Sequence, residues 1–248
     1  MSKQGQLIFG VHAVREALLA GRELDRVLVR RGSGSDALKQ LLGELRKREI
    51  PVQQVPVEKL NRVTGKNHQG VIAWLSRISY SDITSVLPAV FESGEDPLIL
   101  LLDGISDVRN FGAIARSAEC AGVHGIVIPA TGSAAINPDA IKTSAGALHR
   151  IPVCRSGDLL RTLRYLKDSG LRLFAASEKA EETMYRTDMT GPVGIILGSE
   201  GRGVSGALLK AADHRVSIPM KGEISSLNVS VAAGILLFEV VRQRDPHI

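Results

Sequence analysis

Leu98–Leu102 is an uninterrupted apolar run, Leu-Ile-Leu-Leu-Leu, set between Pro97 and the polar stretch that begins at Asp103. A strand wetted on one face alternates apolar with polar residues, whereas a strand covered on both faces reads as a continuous run. The run therefore predicts a parallel strand with helices on either side. From there to the end, apolar segments of strand length alternate with segments of helical spacing. Strands are expected at 98–102, 125–128, 151–153, 171–175, 193–197 and 216–218. Helices are expected at 112–121, within 138–147, and at 159–166, 204–212 and 228–242. This order predicts an α/β fold with an open, mostly parallel sheet. Ligands on such sheets bind in loops beyond the carboxyl ends of the strands. Three loops rich in glycine and polar residues stand in that position: 103–111, 198–203 and 219–227.

The first 75 residues have a different character. Val11, Val14 and Leu18 have helical spacing and stop at Gly21, while Leu38, Leu41, Leu42 and Leu45 mark a second helix over 35–49. Strands are expected at 26–29, 52–55 and 71–75, with 64–70 as a polar loop. This third of the chain holds 13 Lys/Arg against 7 Asp/Glu, whereas 96–248 holds 17 against 16. The net charge of +5 is thus concentrated in the N-terminal part, as expected where one region meets a polyanion. Residues 76–96, punctuated by serine and proline and acidic on balance, read as a connector with a short helix near 83–91. The expected organisation is 1–75, a linker at 76–96, and 97–248.

Each of the three loops carries candidate residues with a purely structural alternative. Asn110 precedes the helix expected to start at Phe111 or Gly112 and would cap it. Arg116, further along, would pair with Glu119 at i,i+3. Leu197–Val204, LGSEGRGV, holds three glycines and one acid, Glu200. Ile218–Gly234 leads into the last helix, which Ser225 or Ser226 would cap. Asn228 and Ser230 are polar groups at its start, and its apolar residues lie almost all round, which implies burial on most sides and cover from a second subunit.

Other chemistries are disfavoured. The glycines of 198–203 run G-x-x-G-x-G, which is not the dinucleotide fingerprint and disfavours a nicotinamide-dependent oxidoreductase. Gly65–Lys66 lacks the rest of a phosphate-binding P-loop. No G-x-S-x-G elbow occurs. The six histidines and two cysteines show no metal-ligand spacing, so no metal is expected. Aromatics are 4% of the chain, too few for single-strand binding by base stacking. No apolar stretch is long enough to span a membrane, and the N-terminus lacks a signal peptide's apolar core. A cytoplasmic protein with reduced thiols is expected.

Taken together, LDGISDVRNFGAIARSA (102–118), LGSEGRGV (197–204) and IPMKGEISSLNVSVAAG (218–234) resemble, in order and spacing, the three motifs of the SpoU (TrmH-like) branch of the SPOUT RNA methyltransferases. The opening FGVHAVREAL and the segment NHQGV (67–71) resemble that family's small N-terminal RNA-binding domain, similar to the ribosomal protein L30e fold. The likeness covers essentially the whole chain. It is nearest to members that methylate a guanosine 2′-hydroxyl in 23S ribosomal RNA, with a tRNA guanosine or another rRNA site as the alternative. A non-catalytic RNA-binding assembly protein is less favoured, because the motif residues are retained.

The resemblance implies a C-terminal trefoil knot, S-adenosyl-L-methionine as cofactor and a homodimer that buries the last helix. It implies Gly198, Ile218, Met220 and Leu227 around the cofactor. Arg116 would act as base or as electrostatic stabiliser, and Asn110 would orient Arg116 or the ribose. Glu200 would position the loop or Arg116, or serve as a fallback base, while Ser226 and Asn228 complete the pocket. One departure is visible: Val108 stands where the family commonly has proline, which removes a pre-set φ and is expected to loosen the first loop.

Overall fold

The computed structural model describes residues 7–32, 35–134, 136–224 and 226–245. They form two compact units. The first runs through Ser79 and takes in Ile136–Pro138; the second begins at Tyr80.

In chain order the first unit contains β1 (Leu7–Phe9), α1 (Val11–Leu19), β2 (Leu24–Arg30), α2 (Asp36–Lys47), β3 (Val52–Val55), α3 (Val57–Val63) and β4 (Val71–Leu75). The strands form one sheet in the order β1-β4-β2-β3, with β2 and β3 parallel and the other pairs antiparallel. Alternation along the strands separates two cores. Val27, Val29, Val71 and Ala73 face Val14 and Leu18 of α1 and Leu38, Leu41 and Leu45 of α2. Leu28, Val55 and Ile72, one residue out of phase, face Leu60 of α3. Ser35 caps α2, its side chain accepting from Leu38 N at 3.3 Å.

The second unit contains β5 (Tyr80–Ser81), α4 (Ile83–Glu92), β6 (Leu98–Asp103), α5 (Val108–Cys120), β7 (Gly125–Pro129), α6 (Pro138–Thr143) and β8 (Val153–Ser156). It continues with α7 (Leu159–Asp168), β9 (Arg172–Ala176), β10 (Glu182–Thr183), β11 (Val193–Gly198), α8 (Gly206–Ala211), β12 (His214–Ser217) and α9 (Val229–Arg244). Its eight strands pair in the order β10-β12-β9-β11-β6-β7-β8-β5, and every pairing is parallel. Leu98–Leu102 is buried throughout, as a strand with β11 on one side and β7 on the other requires.

Much of the connector expected at 76–96 belongs to the second unit: β5 pairs with β8, and α4 buries Ile83 and Leu87 in its core. The sheet reverses direction around β6. The chain steps outward through β7 and β8, then returns to lay β9 beyond the place that β11 later fills. Loops following β6, β9, β11 and β12 consequently share the carboxyl edge near this reversal.

The end of α9 is anchored to that sheet. Arg244 donates to the carbonyls of Asp96 at 2.9 Å, Pro97 at 2.9 Å and Gly191 at 2.6 Å. Gln243 accepts from Met189 N at 2.7 Å and donates to Glu239 at 2.8 Å. Glu239, almost fully buried, also receives Arg242 in a bidentate pair at 2.9 and 2.7 Å. Cover of α9 is incomplete: Val231 and Phe238 are 48% and 49% exposed, so the all-round burial expected for this helix is not met within one chain.

The Arg242 guanidinium holds the Glu239 carboxyl below the ordinary glutamate range, overriding the opposing effect of burial. A depressed folded-state pKa stabilises above the unfolded value and is lost as pH falls through the folded one. Urea midpoints of wild type and Glu239→Gln are therefore expected to differ most at neutral pH. The difference should shrink as pH falls below about 4, and a constant difference would remove Glu239 from the acid response.

Candidate active site

Gly198 at the end of β11 lies level with Asp103 at the end of β6 in the parallel register. Asp103 Oδ2 accepts from Ser205 N at 2.7 Å, so the end of β6 fixes the far side of the loop that follows β11. Within that loop, Gly203 N donates to Ser199 O at 2.7 Å and Gly203 has φ +65°. The turn folds back so closely that a Cβ at Gly198 would collide with the backbone of Gly203 and Val204. Only glycine fits at 198.

The first loop differs from the sequence expectation. Asp107, not Asn110, caps the helix, accepting from Asn110 N at 2.8 Å, and α5 starts at Val108 rather than near Phe111. Val108 therefore occupies the first helical position, where proline is favoured for its fixed φ, and the Asp107 cap holds the helix start without it. Placed inside the first turn, Asn110 has its side-chain amide available. Its Nδ2 donates to Glu200 Oε1 at 3.0 Å, and its Oδ1 accepts from Asn228 Nδ2 at 3.0 Å. Asn228 Nδ2 also donates to Glu200 Oε1 at 2.6 Å.

Asn228 is the cap of α9, its Oδ1 accepting from Ser230 N at 2.9 Å. Ser226 is not the cap, and Ser225 lies outside the described residues. Three candidate side chains from three separate loops thus close a hydrogen-bonded triangle.

Beside the triangle lies a cavity of about 620 Å³. Gly198, Ile218, Met220 and Leu227 line it, as do Glu200 and Ser226. Leu197, Val204, Val216 and Val229 add apolar wall. Sequence reasoning passed over Ser177, Lys179 and Arg202, which contribute polar groups to the lining. It also passed over Asp103 and Asp107, whose signal was their position around the end of a doubly buried strand.

Arg116 stands apart. It is exposed on α5 and, among the described residues, makes no hydrogen bond or ion pair. Glu119, its expected partner, instead meets Arg150 at 3.6 Å. Asn110 and Glu200, expected to orient Arg116, bond to each other and to Asn228. Arg109, two turns earlier on the same exposed side of α5, is also solvent-facing.

Among the described residues no group of three or more His, Cys, Asp or Glu is arranged to hold a metal. Burial, with Asp82 nearby, pushes the Cys154 thiol up to about 12, which keeps it protonated and unreactive.

Because the 198–203 turn has no room for a Cβ, Gly198→Ala is expected to lower stability by about 1–3 kcal/mol. Urea denaturation measures this, and an unchanged midpoint would show that the turn relaxes freely.

Comparison with known proteins gives these features a context. Residues 97–238 match the SpoU rRNA methylase family, and residues 7–81 match the RNA 2′-O ribose methyltransferase substrate-binding family. The chain is 40% identical over 243 residues to the 23S rRNA (guanosine-2′-O-)-methyltransferase RlmB of Yersinia pestis, covering 96% of this chain and 98% of the relative. It is 41% identical over 246 residues to RlmB of Xanthomonas campestris pv. campestris, covering 98% and 99%. Among solved structures it resembles the SpoU methyltransferase AviRb from Streptomyces viridochromogenes in complex with AdoMet. That match has a TM-score of 0.60 and 27% identity, over 96% of this chain and 89% of the other. A parallel α/β sheet with loops gathered at its carboxyl edge, matched at this identity over nearly the whole length, places the chain in the SpoU rRNA methylase family.

Proposed function

We propose that this chain transfers a methyl group from S-adenosylmethionine to the 2′-hydroxyl of a guanosine in 23S ribosomal RNA. The observation that carries this reading is the cavity of about 620 Å³ at the carboxyl edge of the sheet, flanked by the Asn110–Glu200–Asn228 triangle. The rRNA methyltransferases that match nearly end to end supply the substrate class.

The cavity suits the cofactor. Gly198, which has no space for a side chain, presents bare backbone to it, and Ile218, Leu227 and Val229 offer an apolar wall. Such a combination reads an adenine edge by backbone hydrogen bonds while excluding water from its faces. Met220 lies at the open side, 40% exposed, and Ser177, Lys179 and Arg202 suit the amino acid end.

When bound, S-adenosylmethionine supplies a methyl group already activated on a sulfonium. The chain's own tasks are then alignment and the loss of a proton from a weakly acidic hydroxyl. Glu200 Oε1 holds both amides, which fixes Asn110 and Asn228 as a rigid edge for orienting the ribose; Ser226 adds a hydroxyl. Arg116 acts as a cation. A guanidinium keeps its proton in proteins, so we assign it to steadying the oxygen and a neighbouring phosphate, and the hydroxyl proton passes to the Glu200 carboxylate, the one acid of the triangle. Its exposed position and lack of any partner among the described residues leave its charge available for RNA.

Three further features belong to the same reading. Ile218, Met220, Ser226 and Leu227 line one cavity with loop 198–204, and α9 then returns to pack on α5, which supports a trefoil passage of the chain. Val231 and Phe238, seven residues apart on one side of α9, support burial against a second copy. No helix among the described residues is long and apolar enough to cross a membrane, in keeping with work on RNA in the cytoplasm.

Labelled methyl transfer to total RNA, followed by nuclease mapping, is expected to place the label on a guanosine ribose in 23S rRNA. Label on a nucleobase or confined to tRNA would overturn the assignment. Arg116→Ala is expected to lower kcat by about 100-fold or more while calorimetric affinity for S-adenosylmethionine stays the same. Near-normal turnover would remove Arg116 from the chemistry.

A further inference from the structure

The first unit holds a second cavity, of about 520 Å³, between the beginning of α1, the end of β2, the beginning of α2 and the 67–70 loop. Val11, Leu38 and Val57 supply apolar lining, and no acidic residue lines it. Polar side chains come from His12, Arg30 and Asn67.

The loop at its edge is strongly constrained. His68 is 8% exposed. Its Nδ1 accepts from Gly70 N at 3.0 Å, which places the ring proton on Nε2, donating to Asn61 Oδ1 at 2.8 Å. Gln69 adopts φ +49°, a conformation that a side chain disfavours. Its Oε1 accepts from Val11 N at 3.2 Å, capping α1 where Gly10 has no side chain to offer. Gly70, at φ +83°, leaves space for Arg30, whose Cβ would lie 3.4 Å from a Cβ at 70.

His68, Gln69 and Gly70 are thus committed to the shape of the loop. The side chains of His12 and Asn67 are exposed and make no hydrogen bond among the described residues. A strained, over-determined loop bordering a cavity with uncommitted polar groups marks a binding site more readily than a packing solution.

We propose that this cavity receives one unpaired nucleotide of the RNA substrate, with its base against Val11, Leu38 and Val57, its polar edge at Asn67 and its phosphate at Arg30 and His12. This rests on the reading of the chain as an RNA methyltransferase, and it adds a second contact that selects the site by a nucleotide other than the one methylated. Folded RNA offers such a handle at loops and bulges, where bases splay out of the stack. With no Phe, Tyr or Trp in the lining, the base is held mainly by aliphatic contact and edge hydrogen bonds.

The test uses the full chain and unmodified 23S rRNA transcript in filter binding and in methyl transfer. The His12→Ala/Asn67→Ala pair is expected to raise both Kd and KM for transcript by at least about 10-fold, with kcat and S-adenosylmethionine affinity unchanged. Lys47→Glu, at the far end of α2, is a larger charge change outside the cavity and is expected to weaken binding much less. Asn67→Asp alone, a single exposed change, gives the same direction if the double variant folds poorly. Transcript carrying 4-thiouridine is expected to crosslink to the 67–70 peptide.

The inference is overturned if the double variant binds within about twofold of wild type, or if Lys47→Glu weakens binding as much as Asn67→Asp. Tight calorimetric binding of free guanosine or adenosine monophosphate, with transcript affinity unchanged in the variants, would assign the cavity to a soluble nucleotide and overturn it too. A wild-type chain that binds transcript but transfers no methyl group sinks the enzymatic reading and leaves this test standing. A chain that methylates equally well with and without the substitutions sinks this inference alone.

Discussion

The catalytic unit depends on one oxygen accepting two amides. Glu200 Oε1 takes hydrogen bonds from Asn110 and Asn228, which are 90 and 28 residues away in the chain. Hydrogen bonds to a charged acceptor are stronger than neutral ones, and these two tie together the segments after β6, β11 and β12. A third bond, between the two amides, closes the triangle. Each group also has a second duty: Asn228 starts α9, Asn110 lies in the first turn of α5, and Glu200 sits in the turn that folds onto Gly198. The positions of two packed helices and the shape of the cavity are therefore coupled to one carboxylate.

The coupling is possible because the sheet is wholly parallel around β6. Parallel strands bring their carboxyl ends to one edge, and the reversal after β8 brings the ends of β9, β11 and β12 beside that of β6. Asp103 and Gly198 lie level in the register, and the Asp103 carboxylate reaches across to Ser205. A side chain at 198 would push the far side of the same turn, Gly203 and Val204, off the end of β11. The anchoring of α9 at its far end, by Arg244 and Gln243, fixes where its beginning meets this edge.

Features set by local pattern were legible in the sequence. The doubly buried strand at 98–102, the amphipathic α2 and the position of the three loops follow from periodicity and turn chemistry. Features decided by distant partners were not. Asp107 and Asn110 both satisfy the preference for an N-cap; Asp107 holds that place because Asn110 is engaged by Glu200 and Asn228. Arg116 and Glu119 have ion-pair spacing, yet Glu119 meets Arg150. The serine and proline punctuation of 76–96 suggests a connector, but β5 acquires a partner in β8 that lies more than seventy residues on. β1, β10 and α3 are short, and each is stabilised mainly by neighbours that no local window contains.

The exposed cation on α5 is set apart from the hydrogen-bonded triangle. An arginine that takes part in a fixed ion pair has its charge neutralised by a protein acid, whereas Arg116 has no such acid among the described residues. Arg109 is two turns away on the same side of the helix, about 10 Å along its axis. Holding Asn110 rigid with Glu200 while leaving these arginines unpaired separates two tasks. Under the proposed function, the neutral amides define where a ribose edge sits and the exposed arginines meet the anionic backbone attached to it. On that proposal, a substrate that brings its own negative charge completes the electrostatics of the site, so that the full set of interactions would exist only with RNA in place.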